Sequence, residues 1–244
     1  MPEIELSAGT VEYEDTDGPV LVLLHGLAMN GSLWRGVVAD LREDHHCIVP
    51  TLPLGGHCRP MHPDADLSIF GMARLVAAFL AELDLNEVTL VGNDWGGAQL
   101  LVSEGLDERV GRLVLASCEA FDNYPPGVPG SAVARAASIP GGLYLAFQSL
   151  RLRPLRRLPL TWGWMSKRPV PEEVMDCWFR PLQTQGDPPR SSQVRHEHPT
   201  KEGVAGVVRT SAYLRPSSTH RLGQGGPRHA PRAWKTTGRA VSAG

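Results

Sequence analysis

The stretch that decides the fold is Val88-Thr89-Leu90-Val91-Gly92-Asn93-Asp94-Trp95-Gly96-Gly97-Ala98-Gln99-Leu100-Leu101. A short β-prone run leads into a turn bounded by glycines, and an amphipathic run follows. The pattern predicts strand, sharp bend and helix. Gly92, Gly96 and Gly97 stand around Asp94 for a steric reason. A residue at the tip of such a bend is held in a strained backbone, and bulky neighbours two places away on either side would collide. Asp94 is therefore read as a side chain raised above the end of a sheet. The Trp95 backbone N–H beside it can face a developing negative charge. The plain alternative is an Asp that simply favours a turn.

The strand signature recurs on both sides of this stretch. Leu21-Val22-Leu23-Leu24, Cys47-Ile48-Val49 and residues 112–116 are short, β-rich and mostly apolar, as strands of a parallel sheet are. Residues 4–6 and 11–14 predict a leading hairpin. Ile69, Met72, Leu75, Val76, Phe79, Leu80 and Leu83 repeat at three and four residues, with Asp66 or Ser68 as N-cap. Strands alternating with helices predict an α/β fold: a mainly parallel sheet flanked by helices. The pattern changes after residue 122. Pro and Arg become frequent, Trp162, Trp164 and Trp178 appear, and Pro171-Glu172-Glu173 is a good helix start. We read residues 1–122 as the core, 123–183 as a helical cap and 184–244 as a disordered basic tail.

Composition bounds the function. The 244 residues carry a net charge of −2, which suits one large domain and gives no whole-chain case for nucleic-acid binding. The charge is split, however. Residues 184–244 hold eight Arg and two Lys against three acids and lack Ile, Phe, Met and Cys. Such a segment is expected to stay unstructured. No apolar run reaches the length of a membrane span, and the first residues lack the pattern of a signal peptide. Cys47, Cys58, Cys118 and Cys177 are scattered without a C-x-x-C pair. That spacing argues against a zinc ribbon or a disulfide scaffold and fits a reducing, cytoplasmic setting.

A second chemical piece is His25-Gly26-Leu27, directly after the first buried strand. Together with Ser32-Leu33-Trp34-Arg35, Leu52-Pro53-Leu54-Gly55-Gly56-His57, residues 92–97 and residues 113–121, it resembles the α/β-hydrolase superfamily. Within that superfamily the Asp-Trp-Gly-Gly bend is similar to the Asp-nucleophile branch of haloalkane dehalogenases and epoxide hydrolases. The resemblance implies attack by Asp94 on an electrophilic carbon of a small apolar halide or epoxide, giving an alkyl ester that a His-activated water hydrolyses. It assigns Leu27 and Trp95 to the oxyanion and halide site, and Glu119 to the catalytic acid that orients the base. It implies neither metal nor organic cofactor, and neither a nucleic-acid nor a membrane partner. Beside these roles stand plainer ones: Trp95 as core, Glu119 as a solvated strand end, and His25 and His57 as residues that brace loops.

Two departures from the family pattern are visible. Leu27 offers no side-chain donor where dehalogenases often carry Asn. The base His, expected near the C-terminus after the last strand, has no evident counterpart. His196, His198, His220 and His229 follow no recognisable strand. The last strands of the sheet are expected to be missing, and the tail reads like translation in a shifted frame. The rival expectation is therefore a catalytically impaired remnant of the fold that binds apolar ligands at most.

Overall fold

The computed structural model describes residues 1–16, 19–94, 98–118, 127–137, 139, 142–159 and 161–184. Among these, six strands form one sheet: β1 (Glu3–Leu6), β2 (Gly9–Glu14), β3 (Val20–Leu24), β4 (His46–Pro50), β5 (Val88–Asn93) and β6 (Val110–Ala116). Their order is β1-β2-β4-β3-β5-β6. The leading hairpin forms as expected, with Ile4 opposite Val11. It also joins the main sheet, because β2 pairs antiparallel with the end of β4. The remaining pairings, β3 with β4, β3 with β5 and β5 with β6, are parallel. The sheet is thus mixed, with an antiparallel flank on a parallel centre.

β3 lies at that centre and is buried on both faces. Val22 and Leu24 enter one apolar cluster, and Leu21 and Leu23 enter another. Helix α1 (Arg35–Leu41) follows a 3-10 turn at Gly31–Trp34, and the next helix in the chain, at Ile69–Glu82, closes the first cluster. Helix α2 (Ile69–Glu82) presents Met72, Leu75, Val76, Phe79 and Leu80 to the sheet. Phe79 meets Tyr13 edge-on at 5.5 Å. Burying each such side chain contributes about 1.5–3 kcal/mol. Of the two candidate caps, Ser68 takes the role, its Oγ accepting from the Gly71 N–H at 3.0 Å. Asp66 instead accepts from the Ser68 N–H at 3.0 Å.

One strand shows the edge exposure that the expected loss of the last strands implies. β6 reads as apolar as its neighbours, yet Val114 is 45% exposed and Arg112 is also exposed. Among the described residues β6 pairs only with β5, so only one of its flanks is covered.

A short helix α3 (Ala98–Leu101) follows the bend after β5. Beyond β6 come α4 (Gly127–Ala137), α5 (Gly142–Ser149), a 3-10 turn at Arg153–Arg157, α6 (Trp162–Met165) and α7 (Glu172–Thr184). The acids Glu172 and Glu173 open α7, as the sequence pattern predicts. Val174, Met175, Trp178 and Phe179 form its buried stripe and pack with Phe147 and Leu150 of the α5 segment. Trp178 is core at 2% exposure.

Arg156 lies at the base of this helical layer with 0% exposure. Its guanidinium donates to Asp176 Oδ1 at 2.6 Å, Glu172 Oε1 at 3.1 Å and the Leu150 carbonyl at 2.6 Å. It also stacks 4.9 Å from the Phe179 ring. A buried charge needs this degree of partnering. No described helix is long and apolar enough to cross a membrane.

Candidate active site

The strand order changes direction at the carboxyl end of β3. The chain passes from β3 to β4 on one side, then crosses to β5 on the other. In open α/β sheets, such switch points leave a crevice above the strand ends. His25-Gly26-Leu27 leaves the end of β3 there, and Asp94 leaves the end of β5.

Asp94 has φ +52°. A non-glycine residue in the left-handed region is strained, and here it sits at the bend where the glycine spacing places strain. Its Oδ2 accepts from the Leu27 backbone N–H at 2.9 Å. The structure therefore brings together two residues that are far apart in the sequence. The contact also explains Gly26, since a Cβ there would lie 2.4 Å from Asp94 Oδ2 and 2.5 Å from Asp94 Cβ. Three further residues with left-handed backbone surround the crevice: Ala28 at +55°, Gly55 at +111° and Ser117 at +53°. They lie after β3, β4 and β6 respectively. The Asn93 side chain ties the end of β5 to that of β6, donating to the Ala116 carbonyl at 2.9 Å.

His25 is wholly buried, and both its ring nitrogens are engaged. Nε2 accepts from the Leu52 N–H at 2.8 Å, which leaves Nδ1 to donate to the Gly26 carbonyl at 2.8 Å. Burial lowers its pKa to about 4; the Gly26 hydrogen bond opposes this and nearby His57 adds to it. His25 is thus a neutral clamp that fixes the turn carrying the Leu27 N–H. Burial also lowers His57 to about 4, and its Nδ1 accepts from the Gly55 N–H at 3.4 Å. Among the described residues no group of three His, Cys, Asp or Glu side chains could hold a metal ion.

The helical layer sits directly on this loop. Leu27, Ala28 and Met29 belong to the same apolar cluster as Trp178 and Phe179. The Trp178 indole donates to Ser32 Oγ at 2.9 Å, and Asn30 Nδ2 donates to Cys177 Sγ at 3.4 Å. Asn30 also starts the 3-10 turn, with Oδ1 accepting from the Ser32 N–H and hydroxyl. The sequence reading passed over Asn30, although an Asn two residues before a Ser is a familiar local cap signal.

Of the four residues assigned from the sequence, Asp94 and Leu27 are in contact. Trp95 and Glu119 lie outside the described residues, as do His196, His198, His220 and His229.

Comparison with known proteins gives the following. Residues 19–224 match the family model described as alpha/beta hydrolase fold, a match that runs past residue 183. A haloalkane dehalogenase of Mesorhizobium japonicum is 33% identical over 98 residues, covering 39% of this chain and 31% of that protein. The chain therefore matches about a third of that relative's length. A pimeloyl-[acyl-carrier protein] methyl ester esterase of Aeromonas hydrophila is 30% identical over 175 residues, 64% of each chain. Among solved structures, the epoxide hydrolase CorEH is similar in fold, with TM-score 0.66 and 21% identity over 85% of this chain and 76% of that one.

Proposed function

This chain belongs to the alpha/beta hydrolase fold family, and from that premise we propose that Asp94 is a nucleophile toward small apolar alkyl halides or epoxides. The observation that carries the reading is the carboxylate at a strained strand end, held at 2.9 Å by the Leu27 N–H beneath the helical layer.

The chemistry follows from which oxygen is held. Oδ2 accepts from the Leu27 N–H, and attack on carbon through Oδ1 would leave that contact in place. A C–O bond forms while the carbon–halogen or epoxide C–O bond breaks, and the leaving atom takes the electron pair. Oδ2 becomes the carbonyl oxygen of the alkyl ester. Attack of water on that ester would place the new negative charge on Oδ2, where the Leu27 N–H already points. Trp95, next in the chain, is proposed to supply the second N–H and the halide contact, and Glu119 the carboxylate that orients a base.

A carboxylate nucleophile favours alkyl over acyl substrates. On a carbonyl carbon it would give a reactive anhydride, whereas on an alkyl carbon it gives an ordinary ester. That is a reason to prefer halide or epoxide opening over the esterase activity named for the Aeromonas hydrophila relative.

The second half of the cycle needs a base, and His25 cannot serve because both its nitrogens are committed. We expect a chain that alkylates itself once and hydrolyses slowly, since no base is assigned among the described residues. The test is intact mass measurement of the denatured chain after incubation with 1-bromobutane. We expect a gain of one butyl group that hydroxylamine removes, as it removes esters but not thioethers. Asp94→Ala should show no hydroxylamine-sensitive gain. Absence of that gain in the unaltered chain rejects Asp94 as nucleophile, and steady bromide release would show that a base does reach the ester.

A further inference from the structure

Charge and apolar exposure are both unevenly divided between the core and the helical layer. Residues 1–118 hold eighteen Asp and Glu against six Arg. Residues 127–184 reverse the balance, with seven Arg and one Lys against three acids. The same layer carries Val128, Ile139, Leu145, Leu152 and Leu158, five of the eight large apolar side chains that stand exposed among the described residues. The molecule therefore has an acidic body and a basic, apolar-tipped layer.

The 3-10 helix at Arg153–Arg157 combines the two properties on one short element. Such a helix has three residues per turn, so residues three apart line up. The Leu155 N–H donates to the Leu152 carbonyl at 3.0 Å and the Leu158 N–H to the Leu155 carbonyl at 3.4 Å. Three stripes result. Arg153 and Arg156 turn to α7: Arg156 is buried on Asp176 and Glu172, and Arg153 donates to Asp176 Oδ2 at 2.6 Å. These ion pairs fix the rotation of the helix and leave the second stripe at the surface, with Leu152 62% and Leu158 47% exposed and Leu155 half-buried between them. Arg151, Pro154 and Arg157 form the third stripe, all exposed. The Arg151 guanidinium donates to the neutral Gln148 Oε1 at 3.3 Å, while Arg157 is shared with Glu172 at 2.9 Å.

We propose that the helical layer docks on an anionic lipid surface, with the leucine stripe entering the headgroup region and Arg151 and Arg157 meeting the lipid anions. Cations interleaved with single apolar side chains suit an interface that is charged outside and apolar a few ångströms further in. A folded protein partner would instead call for an apolar centre with charges kept to its rim. The acidic core is repelled by the same surface, so the division of charge also sets the orientation. This departs from the expectation, carried by the family resemblance, that no membrane partner is involved. It stands independently of the chemistry of Asp94. It also brings the layer that packs on the Leu27 loop to a phase in which apolar molecules concentrate.

The test is sedimentation of the full chain with sucrose-loaded vesicles of phosphatidylcholine, with and without about one-third phosphatidylserine. The expected result is binding roughly tenfold or more tighter to the anionic vesicles at about 0.1 M salt, and largely lost at about 0.5 M. Residues 185–244 are basic as well, so the deciding variants alter the layer alone. Leu152→Asp with Leu158→Asp should weaken binding by roughly tenfold or more, and Arg151→Gln by about fivefold. All three positions are exposed, so far-UV circular dichroism should be retained. The proposal is overturned if anionic vesicles bind no tighter than neutral ones. It is equally overturned if the layer variants bind as the unaltered chain does, which would assign the binding to the basic end of the chain. Loss of a concentration-dependent dimer in those variants, with no vesicle binding by the unaltered chain, would overturn it too and make the stripe an interface with the acidic core of a second copy.

Discussion

At the scale of single residues, the site depends on one close approach. Gly26 is present because Asp94 occupies the space that a Cβ would need. Gly26→Ala should therefore displace the Asp94 carboxylate from the Leu27 N–H. We expect alkylation by 1-bromobutane to fall at least tenfold, with far-UV circular dichroism retained; unchanged alkylation would mean that the contact is dispensable. The two buried histidines make a second prediction. Both are held neutral with pKa values lowered to about 4, against about 6.5 when unfolded. The unfolded chain then binds more protons between those values, so their contribution is fully present above pH 6.5 and is lost as pH falls toward 4. Each imidazole accounts for roughly 3 kcal/mol over that window. Urea midpoints at pH 7, 6 and 5 should decline steadily, and a flat profile would contradict the assignment. Asp94 was legible in the sequence because steric demands at a bend fall on neighbours close in the chain. The Leu27 contact was legible only through resemblance, since nothing local in residues 25–27 points to residue 94. The reason for Gly26 was not legible at all, because it arises from packing between two strands.

At the scale of elements, α7 joins the helical layer to the core. Its apolar stripe covers the Leu27–Met29 loop, and its acidic first turns embrace Arg156. Asp176 is held below the usual carboxylate range by its hydrogen bonds to Arg156 and then Arg153, so this pairing weakens as acid protonates it. Arg156→Met keeps much of the volume but leaves Asp176 and Glu172 without their buried partner. We expect a loss of about 2–4 kcal/mol, discounted because both carboxylates are about a third exposed. The measurement is chemical unfolding followed by tryptophan fluorescence, which Trp162 and Trp178 in the same cluster report. A loss near zero would show that the network is replaceable. The central strands could be read from short, β-rich apolar runs, and α2 from apolar residues that recur at three and four. Arg156 could not. A run of four arginines between 151 and 157 looks like a solvated face until α7 folds across it. For β6, apolar composition alone reads as burial, and only the expectation that the last strands are missing anticipates its exposed edge.

At the scale of the whole molecule, the described residues provide the groups that the proposed first half of the cycle would use. A mixed sheet raises a carboxylate at its switch point, a neighbouring strand end supplies an N–H, and a helical layer packs on the loop that carries that N–H. The family match continues to residue 224, whereas the composition of residues 184–244 argues for a basic tail. Residues 185–244, and the histidines they contain, lie outside the described structure. The decisive question is where an electrophile bonds to the chain. That is settled by peptide mapping, with tandem mass spectrometry, of the chain after a single exposure to 1-bromobutane with its thiols blocked beforehand. The account predicts one butyl ester per chain, located on Asp94. A butyl group on any other side chain, or none, would contradict it.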